Sequence, residues 1–150
     1  MVMNLFESSK YNIREDIIDV HVRAWKNLAS AGTWLTGQRR IEVVNEIRRA
    51  RDASSCSRIR KSLSPETVDI PNNSNGELSD TEVEIINRVV CDPGRLSEAW
   101  VNRVLNSGVN EGEYIEIIGI ISMVMILDTF TLGIGIPYSV LPEPLAGEPS

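Results

Sequence analysis

Eleven consecutive residues, Ile117 to Leu127, carry no charged side chain and depart from apolarity only at Gly119 and Ser122. A helix needs ~20 such residues to cross a bilayer, so the run predicts a core helix and not a membrane span. Asn110-Glu-Gly-Glu113 places a capping amide and two carboxylates ahead of it, where the orphan N–H groups and dipole of a helix N-terminus favour them. The helix should run from about Glu111 to about Leu132. Its near-continuous hydrophobicity predicts that other helices surround it.

Four further helices can be read from apolar spacing. Asn12 can cap a helix with Ile13, Ile17, Val20, Ala24 and Leu28 on one face, and Gly32 stops it. Thr36 can cap a second, with Val43, Val44, Ile47 and Ala50 inward and Arg39, Arg40, Arg48, Arg49 and Arg51 mostly outward. Ser79-Asp-Thr-Glu82 is a capping box before Val83, Ile86 and Val90. Ser97 opens a short helix bearing Trp100, Val101, Val104 and Leu105, with Gly108 placed for a left-handed C-terminal turn. Pro71 to Gly76 forms a surface loop, and the proline-rich residues 134–150 read as an extended tail. No segment shows strand periodicity. The expected fold is all-α, one domain over 1–150, helical from about 12 to 133.

Charge divides the chain. Lys10 to Lys61 holds twelve of the fifteen basic residues against six acids, whereas Ser62 to Ser150 has three arginines against fourteen carboxylates. The basic half lacks the interleaved aromatics of a base-stacking surface, so nucleic acid is not an expected partner. The two halves should attract each other, within or between subunits. The N-terminus shows no basic stretch followed by an apolar one, so no signal peptide is read and a cytoplasmic location is expected. His21, Cys56 and Cys91 are the whole supply of imidazole and thiol, too few for a zinc site. Neither metal nor cofactor is expected. In a reducing compartment both cysteines should be free thiols.

Several blocks together resemble the alkylhydroperoxidase D-like and carboxymuconolactone decarboxylase superfamily: Arg23-Ala-Trp-Lys-Asn-Leu-Ala29, Gly32-Thr-Trp34, Arg60-Lys-Ser-Leu-Ser-Pro65, Asp92-Pro-Gly-Arg-Leu96, Glu113-Tyr-Ile-Glu-Ile-Ile-Gly119 and Asp128-Thr-Phe-Thr-Leu-Gly-Ile-Gly135. The resemblance implies a compact helical subunit that assembles as a trimer or hexamer, and a peroxide-reducing activity. It also implies a chain that continues further, so this sequence reads as a shortened member or a piece. The peroxidase motif of that family looks like C-x-x-C-x-x-x-H with a glutamate upstream. Cys56 takes the second cysteine position, Ala53 the first and Arg60 that of the histidine, while Glu42 lies one residue out of register.

Three candidate catalytic residues follow. Cys56 has Arg58, Arg60 and Lys61 close in sequence, and cations raise a thiol's thiolate fraction. Glu42, one turn from Glu46, can accept a proton, and His21 is the one imidazole available for acid–base work. Each also has a plainer use: a small buried side chain, an ion pair on a solvated face, and a packing residue. With Ala53 in place of a cysteine and Cys91 read as packing on another helix, an internal dithiol cycle is not expected, leaving a weak single-thiol peroxidase restored by an external thiol. The alternative is a catalytically silent oligomer binding a small hydrophobic molecule or a protein partner. Asp128, inside the most apolar helix, must be paired or hydrogen-bonded and reads as structural.

Overall fold

A computed structural model describes residues 5–150. Six helices follow one another: α1 Glu15–Ala29, α2 Gly37–Asp52, α3 Ser54–Lys61, α4 Asp80–Cys91, α5 Glu98–Asn106 and α6 Glu111–Gly133, with 3-10 turns at Pro65–Thr67 and Pro93–Arg95. There is no strand among the described residues, so the all-α expectation is met, with one helix more than the sequence reading counted.

Local chemistry explains where most helices begin. The Thr36 hydroxyl accepts from the Arg39 amide at 3.3 Å, Ser79 and Glu82 form the reciprocal capping box, Ser97 accepts from Trp100 N–H at 3.2 Å, and Asn110 accepts from Gly112 N–H at 2.8 Å. Each satisfies donors that the first turn leaves orphaned. Helix α1 departs from expectation. It begins at Glu15 after Arg14, without a side-chain cap. Asp16, which accepts from Ile17 N–H at 3.0 Å, satisfies a first-turn donor in place of Asn12. Its inward face is His21, Trp25 and Leu28, and Val20 is 51% exposed.

The centre of the fold is α2, which packs against α1, α3, α4 and α6 and buries Ile41, Val43, Val44, Ile47 and Ala50. The arginines read as outward-facing turn in. Arg40 is 7% exposed, pairs with Glu116 at 2.6 Å and reaches the Asn27 side chain at 3.1 Å. Arg48 makes a bidentate pair with fully buried Asp128 at 2.9 and 3.0 Å, lies over the rings of Trp25 and Tyr138, and donates to the Ser139 carbonyl at 2.9 Å. Arg39 bonds both Glu82 and Glu113. The attraction between the basic and acidic halves thus operates inside the subunit, and it is what permits cations at core positions.

Helix α6 is not surrounded. Tyr114, Ile117, Ile121, Val124, Asp128 and Thr131 form its buried stripe, while Ile115 and Ile126 are 62% and 69% exposed. By length and composition alone α6 could cross a bilayer, yet it packs through that stripe on α1, α2 and α4. The tail is extended as expected and folds back, with Leu145 N–H donating to Ala29 O at 2.8 Å and Ser150 N–H to Gly32 O at 3.1 Å. Gly37 lets it approach: a Cβ there would meet the Leu145 carbonyl oxygen at 2.8 Å.

The buried pair Arg48–Asp128 yields a first prediction. Asp128→Ala strands a buried guanidinium and should lower unfolding free energy by about 3–5 kcal/mol in urea titrations. The double variant Arg48→Met, Asp128→Leu should recover most of the loss. A single variant within about 1 kcal/mol of the parent would show that the pair is dispensable.

Candidate functional site

The segment around Cys56 folds as a separate short helix. Helix α2 ends at Asp52 because Ala53 adopts extended dihedrals, and Ser54 and Ser55, weak helix formers in an interior but good near a start, open α3. Cys56 is the third residue of α3 and Cys91 the last of α4. The two are joined as a disulfide, Cα to Cα 5.2 Å, across 35 residues of sequence. This overturns three expectations: Cys56 and Cys91 are not free thiols, Cys91 is not merely a packing residue, and the ground for expecting no internal dithiol pair, that Cys91 stands apart on another helix, fails. The misreading came from the break at Ala53, which swings α3 back against α4 and brings together positions that a continuous α2 would hold apart.

Arginines stitch the same junction. Arg60 donates from Nε to the Cys91 carbonyl at 2.8 Å. Arg95 donates to the Ser62 carbonyl at 2.7 Å and the Ile59 carbonyl at 2.8 Å, itself held by Asp92 at 2.7 Å. The C-terminal carbonyls of α3 and α4 are thereby satisfied by side chains. Both cysteines are 3% exposed.

A polar seam lies one turn away. The Sγ of Cys91 is 3.7 Å from the Ala50 carbonyl oxygen, and one turn back along each helix stand Glu46 on α2 and Asn87 on α4. Asn87 Nδ2 donates to Glu46 at 3.0 Å, and Arg49 donates to Glu46 at 2.9 Å and to Glu42 at 2.6 Å. Burial opposes the Arg49 charge, but the hydrogen bonds and charges of Glu42 and Glu46 outweigh it and raise its pKa above the ordinary value. Glu46, 4% exposed, is nearer the sulfur pair in register than Glu42. Its position among apolar residues of α2 was the signal for it. Glu42 hydrogen-bonds Arg49 and Asn45.

His21 belongs elsewhere. Its ring lies between Phe6 and Phe130, centroids 5.1 and 5.0 Å away, and desolvation lowers its pKa from 6.5. None of Cys56, Glu42 and His21 is hydrogen-bonded to another. Among the described residues no three His, Cys, Asp or Glu side chains converge as metal ligands.

An opening of about 740 Å3 lies at the N-terminal end of α6 and is lined by Trp34, Gly112, Ile115 and the Arg40–Glu116 pair, with no cysteine. The Trp34 indole rests where a Gly112 side chain would be, and its backbone N–H donates to Glu116 at 2.8 Å. This cleft and the sulfur pair do not share a residue.

The His21 setting has a pH signature. Because its folded pKa is lowered, the unfolded chain binds a proton that the folded chain refuses. Its contribution is therefore complete above about pH 6.5 and is lost as pH falls through the folded value. Unfolding free energies measured from pH 7.5 to 5 should fall more steeply for the parent than for His21→Leu; equal slopes would contradict this account. No protein-family model, curated protein or solved structure matches the chain.

Proposed function

We propose that the chain is a weak peroxide-reducing thiol protein of the alkylhydroperoxidase D-like kind, working through Cys56 and Cys91 as a pair. The observation that carries this is their juxtaposition at opposite helix ends. Cys56 stands in the first turn of α3, where unpaired N–H groups and the helix dipole favour a thiolate. Cys91 stands at the C-terminal end of α4, where the dipole disfavours one. Cys56 is thus the nucleophile and Cys91 the resolving thiol.

In this reading the Cys56 thiolate attacks the terminal oxygen of a hydroperoxide, the O–O bond breaks, and the alkoxide leaves as an alcohol after taking a proton. Cys56 becomes a sulfenic acid. The Cys91 thiolate then attacks that sulfur, the S–O bond breaks, hydroxide leaves as water on protonation, and the disulfide forms. An external dithiol supplies the two electrons that reopen it. Glu46, one turn away on the seam, is the proton acceptor for the resolving thiol. Burial of both sulfurs requires α3 to shift for peroxide to enter, so slow turnover is expected in this reading. A reducing cytoplasm, where a disulfide is transient and catalytic and not a staple, is the compartment that fits.

The test is dithiol-dependent peroxide consumption with mass analysis. The parent should lose both thiols to an intramolecular disulfide, Cys91→Ser should stop at a Cys56 sulfenic acid, and Cys56→Ser should be inert. A disulfide that folded protein will not release to excess dithiol, with no turnover and a loss of about 4 kcal/mol of stability on forced reduction, would mark a structural staple instead.

A second reading rests on the cleft beside Trp34. It falls within the ~300–1,000 Å3 range of small-molecule sites and offers a half-exposed indole and Ile115 to a small hydrophobic ligand. Under either reading we infer self-association through the apolar outer face of α6 around Ile126, 69% exposed, to a trimer or hexamer. Sedimentation at micromolar concentration should give a species well above 16.7 kDa; a single species at that mass would refute it.

A further inference from the structure

Between the segment that follows the Pro65–Thr67 turn and the face of α4 lies a second cavity, about 230 Å3, with Arg88 in its lining. Arg88 is 2% exposed. Its Nε and Nη1 are buried without a hydrogen-bond partner among the described residues, and its guanidinium lies 5.6 Å from the centre of the Trp100 ring. Glu84, one turn earlier on α4, is the natural partner of an arginine four residues on. Its Oε1 instead accepts from Arg103 at 3.0 Å and from the Trp100 indole at 3.4 Å. Arg103 also faces Glu66 at 3.7 Å, so one exposed arginine occupies both rim glutamates.

Two rim carboxylates are left. Asp80 accepts from the Asn72 amide at 2.9 Å. Asp69 has no cation within 4.0 Å among the described residues, although its backbone carbonyl accepts from Arg58 at 3.2 Å. The cavity lining therefore holds a buried cation with no carboxylate within 4.0 Å among the described residues, two glutamates engaged by Arg103, two aspartates free of any such pairing, and apolar surface from Val68 and Ile70. A buried guanidinium is costly unless paired, and a carboxylate completes it with charge-assisted hydrogen bonds. A bare dianion would meet the aspartates, whereas a carboxylate with an ammonium group beside it satisfies both ends.

The geometry points to a binding site for a small α-amino acid, its carboxylate on Arg88, its ammonium toward Asp69 and Asp80, and a short aliphatic side chain against Val68 and Ile70. This site is independent of the sulfur chemistry.

Titration calorimetry with L-alanine, acetate and ethylammonium on the full chain tests it. Alanine should bind in the millimolar range or tighter, with acetate and ethylammonium each at least about tenfold weaker. Arg88→Met should abolish alanine binding, and Asp69→Asn, a change at an exposed position, should weaken it severalfold whether or not Arg88→Met folds. No alanine binding to the parent, equal binding of alanine and acetate, or full binding by Asp69→Asn would each overturn the proposal.

Discussion

The bidentate pair between Arg48 and Asp128 is the constraint on which the packing turns. A carboxylate with no exposure at all is tolerable in a hydrophobic interior only when its charge is matched and its lone pairs are occupied. Arg48 does both while its guanidinium plane lies over Trp25 and Tyr138, so one side chain ties α1, α2, α6 and the tail. Arg39, Arg40 and Arg48 meet Glu113, Glu116 and Asp128 in the same order along both helices. Helices α2 and α6 therefore run in one direction, with their register set at both ends by charge and between them by Val44, Ile47, Ile117 and Ile121.

Around that frame the short helix α3 is the adjustable part. It is joined to α2 by the single non-helical residue Ala53, and its hold on α4 comes from the sulfur pair, Ile59 and the arginine bonds to terminal carbonyls. Those bonds are partly exposed, and such contacts open at lower free energy than the interior. The sulfur pair thus joins α4 to a helix held by partly exposed bonds, in contrast to α2 and α6, whose Arg40–Glu116 and Arg48–Asp128 pairs are largely buried.

Much of the helical layout was legible because it rests on local chemistry. Thr36, Ser79, Ser97 and Asn110 cap helices through atoms two or three residues away, and Gly108 turns with φ of 107° just past α5. What local pattern could not carry was direction. Arg40 and Arg48 looked solvent-facing because their counter-ions lie far along the chain, and α6 looked enclosed because uniform apolarity removes the signal of which face is buried. The site suffered most. Cys56 was singled out from its basic neighbours, but its partner depends on a one-residue break at Ala53 that propensity scarcely marks, and His21 was assigned chemistry when it serves an aromatic cluster with Phe6 and Phe130.

The ion pairs of α2 also set an order of events during synthesis. Arg39 waits 43 residues for Glu82, Arg40 waits 76 for Glu116 and Arg48 waits 80 for Asp128. Until α6 emerges, Arg40 and Arg48 have no carboxylate to meet in the interior and stay hydrated, whereas Arg49 already has Glu42 and Glu46 on its own helix. Docking of α2 can finish only after most of α6 has emerged, so these long-range contacts must form late and together.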